Sequence, residues 1–310
     1  MSIKILVTDP LSNNGIELLK KSKLEVIYKP NTPLDDLSSV IKDIDGWIIR
    51  SGTKVLKKHI LKAKKLQIIG RAGVGTDNID IESATLNGVV VMNVPDGNTI
   101  SAAEHTVTMI SSLSRNIHLG HMGLMNGSWD RHKLVGNELR GKTLGVVGLG
   151  KIGIEVIKRC LSFDMKILGF DPYVSQDQFD ESEIRIVSID ELTKNSDYIS
   201  LHVPLNDKTK DLFDLNRIKM MKKTSKIINV ARGGIVNEND LSKALNEELI
   251  SGAAIDVFTK EPIDKKNKLL STKNILLTPH LGASTFEAKE GVSTGVCQQI
   301  IEYFLNEKLL

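Results

Sequence analysis

The chain has 310 residues, 41% apolar, 25% charged and 4% aromatic, with 41 basic against 38 acidic side chains and a net charge of +3. That length exceeds what one hydrophobic core usually serves, so two domains are expected, and the balanced charge and scarce aromatics disfavour nucleic-acid or membrane partners. Apolar runs stay below the roughly 18 residues of a membrane helix, no leader-like series opens the chain, and Cys160 and Cys297 lack metal-ligand spacing, so a cytoplasmic enzyme with reduced thiols and no metal is expected.

In chain order, short β-branched runs at 3–7, 24–28, 47–49, 67–69 and 89–94 predict strands with helical patterns between them. Such alternation predicts βαβ units and a parallel sheet. The basic stretch from Lys57 to Lys65 is interrupted by Ile60, Leu61 and Ala63 at helical spacing, which reads as a solvated helix face. Residues 98–126 are predicted to form one long linking helix, opening on the capping-box pattern Ser101-Ala102-Ala103-Glu104. A second strand series at 143–147, 166–169, 198–202, 226–229, 253–257 and 274–277 predicts a second sheet, and 285–305 a terminal helix that returns to the first domain. The run Lys4-Ile5-Leu6-Val7-Thr8-Asp9-Pro10 is echoed by Lys166-Ile167-Leu168-Gly169-Phe170-Asp171-Pro172, a hint of two related domains. The expected fold class is α/β, with two doubly wound parallel-sheet, Rossmann-like domains.

Gly148-Leu149-Gly150-Lys151-Ile152-Gly153 follows the strand at 143–147 and opens a helical pattern. In that context glycines provide a tight turn, close approach of backbone to a pyrophosphate and close helix–strand packing, with phosphate on the helix N-terminus. The next strand ends in Asp171, about 20 residues on, where a ribose-binding acid belongs. No Arg or Lys follows at Pro172, Tyr173 or Val174 to accept a further phosphate, so NAD is preferred to NADP. The overlapping Gly145-x4-Gly150-Lys151 begins a P-loop pattern, but Ile152 lacks the hydroxyl that would ligate magnesium.

Hydride transfer at a hydroxyl-bearing carbon needs an acid–base group and a cation for the substrate's carboxylate. Arg232, in Asn229-Val230-Ala231-Arg232-Gly233-Gly234, follows a strand and is the candidate cation. His280, in Thr278-Pro279-His280-Leu281-Gly282, stands in a turn past another strand and is the candidate acid–base. Glu261, in Asp256-Val257-Phe258-Thr259-Lys260-Glu261-Pro262, is the carboxylate that would favour the protonated imidazole. His59, His105 and His202 have no comparable setting and are expected to be satisfied or solvated.

Taken in order, the glycine motif, Ala231-Arg232-Gly233-Gly234, residues 256–262 and Pro279-His280-Leu281-Gly282-Ala283-Ser284-Thr285 resemble the D-2-hydroxyacid dehydrogenase family across nearly the whole chain. The resemblance implies a discontinuous substrate domain at 1–97 and 284–310, with an NAD-binding domain at 98–283 inserted in it. It implies that Arg232 binds the substrate's carboxylate and carbonyl, that His280 is the general acid/base and that Glu261 raises its pKa. It places the cofactor on Val74, Gly148, Gly150, Lys151, Ile152, Gly153, Asp171, Val203, Pro204, Val230, Ala231, Arg232, Asp256, His280, Gly282 and Ala283. Within the family, residues 48–54, 70–78 and 98–104 are similar to members acting on phosphorylated hydroxy acids. That similarity implies a distal phosphate on Arg50 and Lys54 with Ser51, backbone N–H groups from Val74 and Gly75, and Asn98 lining the pocket; a dianion requires such concentrated positive charge. Trp129-Asp130-Arg131-His132-Lys133 resembles the family's dimer arm, implying a homodimer or a tetramer in which Arg131 completes the partner's phosphate site. A C-terminal regulatory domain is not expected, and Gly52 and Asn237 stand where related sequences more often carry Ala and Asp. A reductase of another hydroxy acid and a corepressor-like NAD-binding protein are the alternatives, and the intact Arg232, Glu261 and His280 set favours an enzyme.

Overall fold

The computed structural model describes residues 2–306, which fold as two compact units, one built from the chain up to Asn98 and from Ala283 on, the other from Thr99–Gly282. In the first unit, strands β1 (Lys4–Val7), β2 (Glu25–Tyr28), β3 (Gly46–Ile49), β4 (Ile68–Arg71) and β5 (Val90–Asn93) form a parallel sheet in the order β2-β1-β3-β4-β5. Helices α1 (Asn13–Lys21), α2 (Ser38–Ile41), α3 (Lys57–Lys62), α4 (Ile81–Leu86) and α11 (Phe286–Leu305) belong to the same unit. Successive residues of a strand point to opposite faces, so each strand feeds two cores. Leu6, Trp47, Ile49 and Ile69 pack with Ile41 and Ile60, while Ile5, Val7, Ile48 and Ile68 pack with Leu19, Val296 and Ile300. That double burial is why these strands read as continuous apolar runs.

The second unit begins with α5 (Thr99–Ser114) and α6 (Ile117–Met125). A seven-stranded sheet follows, made of β6 (Thr143–Val147), β7 (Lys166–Phe170), β8 (Ile184–Ile186), β9 (Tyr198–Leu201), β10 (Lys226–Asn229), β11 (Gly252–Ile255) and β12 (Ile275–Leu277). Its helices are α7 (Lys151–Leu161), α8 (Ile189–Asn195), α9 (Leu215–Met220) and α10 (Glu238–Asn246). The order β12-β11-β10-β9-β6-β7-β8 reverses direction between β6 and β9, and the pairings are parallel. The two-domain α/β reading therefore holds, with parallel sheets in both units.

The structure departs from the sequence reading in particulars. The stretch 98–126 is two helices, because Asn116 adopts a left-handed conformation (φ 52°, ψ 34°) and ends α5's hydrogen-bonding run. Since α5 begins at Thr99, Ser101 lies inside the helix and is buried, and the Glu104 carboxylate meets Arg159 of α7 at 3.4 Å. The capping box is thus replaced by a contact to another helix. β8 is an additional edge strand of three residues, too short to show a period. Its outer edge is covered by the Gln176 amide, which donates to Ile184 O (2.9 Å) and accepts from Ile186 N (2.7 Å). The Asp-Pro echo does not mark equivalent strands either. β1 lies beside the direction change of its sheet, whereas β7 lies one strand further out than β6.

Asn237 uses both ends of its amide. It caps α10 through Oδ1, which accepts from Asp240 N, and donates from Nδ2 to Asp211 Oδ1, both at 3.1 Å. A carboxylate there would face a second carboxylate. Among the described residues no helix is long and apolar enough to cross a membrane.

The terminal helix α11 seals one face of the first unit, burying Val292, Val296, Cys297 and Ile300. Ile300 has no exposed surface, so Ile300→Ala is expected to destabilise that unit by about 2–4 kcal/mol through lost transfer energy and a residual cavity. Urea unfolding followed by circular dichroism checks this, and a loss below about 0.5 kcal/mol would show that α11 does not close the core.

Candidate active site

The glycine motif sits at the carboxyl end of β6, beside the direction change of the sheet, which is where open α/β folds bind ligands. Gly148 has φ +96°, and a Cβ there would come 2.6 Å from the carbonyl oxygen of His202 and 2.9 Å from Val203 Cγ1, while one on Gly153 would overlap Gly148 O. These two glycines let β6, β9 and α7 approach. Gly150, the residue before α7, instead faces open space, with nothing within 4 Å of where a Cβ would stand. An open approach to unpaired N–H groups at a helix start suits a pyrophosphate. Lys151 and Ile152 are the first residues of α7, and Val203 and Pro204 follow β9. Asp171 follows β7; its Oδ2 accepts from Leu149 N and its Oδ1 from Tyr173 N, each at 3.0 Å. Each oxygen keeps acceptor capacity for a ribose hydroxyl, because a carboxylate oxygen offers two lone pairs. The residues present fit a dinucleotide.

At the ends of β10, β11 and β12 stand Arg232, Glu261 and His280. The buried Asn229 side chain shapes the first loop, accepting from Ala231 N (3.0 Å) and donating to Arg232 O (2.8 Å). The Arg232 guanidinium donates to Ala231 O at 2.7 Å. Any Cβ on Gly233 would overlap the backbone of Phe258, so the loops carrying Arg232 and Glu261 can lie together only with glycine there. Glu261 is held by Phe258 N donating to Oε1 (3.0 Å), and its Oε2 lies 2.6 Å from His280 Nδ1.

That bond to Glu261 is the main reason the His280 pKa is raised; burial opposes it, the charges of Glu261 and Asp256 add to it, and the Arg232 charge works against it. Burial alone would raise Glu261, yet its pKa is lowered by the His280 bond, the Phe258 N–H and the imidazolium charge. An arginine, an imidazole and a carboxylate thus act on one another within one unit, an arrangement able to hold an anion and move a proton beside it.

Sequence reasoning undervalued the residues behind them. Asp256 is fully buried, and its Oδ1 accepts from the Thr278 hydroxyl (2.5 Å) and Leu281 N (2.8 Å) while its Oδ2 accepts from Gly282 N (2.9 Å). His280 N also donates to Asp256 O at 2.8 Å. Residue 280 has φ +54°, a costly conformation that these bonds impose. His105, read from sequence as satisfied or solvated, places Nε2 3.3 Å from both Asp256 Oδ1 and Thr278 Oγ1. Its place on an ordinary helix gave no signal. His202 fits the bland reading: its Nε2 lies 2.8 Å from Ser200 Oγ and burial pulls its pKa down to about 4. Val230 Cγ1 lies 3.0 Å from the Cβ position of Gly282, and Ala283 opens the returning segment of the first unit.

In the first unit, the phosphate candidates follow β3. Arg50 is half-buried and donates to Pro10 O (3.2 Å), whereas Ser51 and Lys54 are exposed. Val74 and Gly75 follow β4, with Val74 O accepting from Asn93 Nδ2 at 2.5 Å. Asn98 is half-buried, and its Oδ1 lacks a partner among the described residues, as suits a group awaiting a donor. Arg131 is exposed on a 3-10 turn, Arg131–Lys133, of the second unit.

Residues 107–282 match the family model of the D-isomer specific 2-hydroxyacid dehydrogenase NAD binding domain, and the chain belongs to that family. Its cofactor is NAD, and the second unit contains the domain that binds it. The chain is similar to the D-3-phosphoglycerate dehydrogenase of Methanocaldococcus jannaschii, 46% identical over 299 residues, which cover 96% of this chain and 57% of that protein. The Bacillus subtilis protein of the same name is 42% identical over 301 residues, covering 97% of this chain and 57% of its own. The chain therefore spans little more than half the length of these curated relatives. Among solved structures, the NAD-dependent formate dehydrogenase from Staphylococcus aureus in complex with NAD superposes with a TM-score of 0.86 at 30% identity, covering 99% of this chain and 97% of that one.

The pair of Glu261 and His280 is charged in the pH window above the lowered carboxyl pKa and below the raised imidazole pKa. The histidine's share of stability is present below its unfolded pKa of about 6.5 and is lost as pH rises through the folded value. Solvent screens it, since the two side chains are 47% and 36% exposed. Glu261→Gln is expected to lower the His280 pKa, read by NMR titration of the imidazole; an unmoved titration would show that the bond does not control it.

Proposed function

We propose that this chain oxidises 3-phosphoglycerate to 3-phosphohydroxypyruvate with NAD, the first step of L-serine biosynthesis, in the cytoplasm. The observation that carries the reading is His280 bonded through Nδ1 to Glu261 beside the charge of Arg232. The likeness to relatives named D-3-phosphoglycerate dehydrogenase supports the choice of substrate. NAD, when bound on the turn at Gly148, Gly150 and Gly153 with its ribose on Asp171, supplies the hydride acceptor.

The chain's own groups do the rest. Because the Glu261 carboxylate accepts at Nδ1, neutral His280 carries its proton there and leaves the Nε2 lone pair free to take the substrate's hydroxyl proton. The imidazolium so formed is the state that Glu261 favours. Oxidation thus requires neutral His280 and gains rate as pH rises through its pKa, whereas reduction requires the protonated ring. Arg232 fixes the carboxylate and carbonyl oxygens with its planar fork, and Arg50 and Lys54, with Ser51, take the phosphate.

Self-association is part of the proposal. Helix α6 buries none of its residues in the chain, and Met125 and Trp129 are 75% and 79% exposed. Apolar surface of this kind is typical of a protein interface. The proposed assembly is a homodimer in which Arg131 completes the phosphate site of the second copy.

With NAD, 3-phosphoglycerate is expected to be oxidised with kcat/KM at least about tenfold above D-glycerate, since a dianion gains charge-assisted bonds that a hydroxyl cannot make. Equal turnover of the two acids overturns the substrate assignment. His280→Ala is expected to lower kcat by about a hundredfold to ten-thousandfold with NAD affinity retained, as loss of a general base does; full activity would remove His280 from the role. Arg131→Ala is expected to raise the KM for 3-phosphoglycerate about tenfold and leave the KM for NAD alone, and an unchanged KM would count against the shared site.

A further inference from the structure

The loop that follows β3 is held by two side chains from elsewhere in the first unit. Asp9, after β1, is buried, and its Oδ2 accepts from Arg50 N (2.7 Å) and Thr53 N (3.1 Å). Asn78, after β4, donates from Nδ2 to Arg50 O (2.6 Å) and Thr53 O (2.5 Å). The backbone groups at both ends of this four-residue loop are therefore taken, N–H by one side chain and C=O by the other. The bracket is anchored in the core as well. Thr53 Oγ1 donates to Thr8 Oγ1 and Trp47 Nε1 donates to the same hydroxyl oxygen, each at 3.0 Å.

Two further observations tie the bracket to ligand binding. β1 and β3 are neighbours where the order β2-β1-β3-β4-β5 changes direction, so Asp9 and residues 50–53 stand at the carboxyl ends flanking the sheet's switch point. Open α/β sheets receive ligands in that crevice. Gly52 lies over the same carboxylate, and a Cβ there would overlap Asp9 Oδ1. Glycine at 52 therefore lets the loop close over Asp9 without displacing its carboxylate.

We propose that Asp9 and Asn78 are positioning residues that hold residues 50–53 in one backbone conformation, so that Arg50 and Ser51 meet a phosphate dianion without first being ordered. The inference rests on the substrate reading above. Its physical basis is that ordering a loop and a long side chain on binding costs affinity, a cost removed when the loop is already fixed. The effect falls on the phosphate end and leaves proton transfer at His280 alone.

Hydrogen–deuterium exchange on the full chain reads the bracket directly. Asn78→Ala is expected to speed exchange at Arg50 and Thr53 by about tenfold, with β1 and β3 unchanged, since carbonyls left without donors loosen the loop. In the same variant the ratio of kcat/KM for 3-phosphoglycerate over D-glycerate is expected to fall about tenfold. The fall should appear in KM for the phosphorylated acid, with kcat unchanged. Asp9→Asn retains a carbonyl oxygen able to accept from both N–H groups and is expected to keep most of the ratio. Should Asn78→Ala not fold, Asn78→Ser reads the same two quantities. Unchanged exchange, or faster exchange with an unchanged ratio, overturns the inference. Wild-type protein that treats the two acids alike overturns the substrate reading instead, and does so before any variant is measured.

Discussion

A buried carboxylate with no exposed surface organises the loop that carries His280. Asp256 gathers the Thr278 hydroxyl and two backbone N–H groups onto its oxygens. Such charge-assisted bonds offset the cost of burying the charge, and they hold residue 280 in a left-handed conformation that a histidine would not adopt unaided. In that turn Nδ1 lies 2.6 Å from Glu261 Oε2. His105 stands against the same carboxylate, so a helix residue takes part in supporting the turn.

The same device recurs elsewhere in the chain. Asp9 after β1, Asp171 after β7 and Asp256 after β11 each follow a strand and accept backbone N–H groups from a neighbouring loop. Parallel sheets bring all strand ends of one polarity to one side, and loops there need partners for their backbone groups. An acid at the strand end meets that need. It also fixes the backbone of loops that carry candidate ligand groups, as with Arg50 beside Asp9 and the glycine turn beside Asp171.

Much of this was legible beforehand. The strands were visible because burial on both faces gives apolar runs, and the glycine turn because each of its positions obeys a local steric rule. Arg232, Glu261 and His280 were singled out from their positions just past strands and from the family likeness, and the structure puts Glu261 and His280 in hydrogen-bond contact. Less legible were β8, whose edge is completed by the Gln176 side chain, and the break at Asn116, which depends on one residue's left-handed backbone. The Ser101 and Glu104 capping pattern was misleading because α5 already begins at Thr99, which puts Ser101 inside the helix.

By itself the sequence determined what depends on neighbours a few residues apart: the strand and helix periods, the turn glycines, the acid after β7 and the chemistry offered by each loop. Tertiary structure alone decided which distant groups meet. Asp9 lies 41 residues from Arg50, and His105 173 residues from Thr278, at separations over which no side-chain pattern is repeated along the chain. Those meetings are set by strand order and by how closely glycine lets loops approach, quantities that exist only once the sheets have formed.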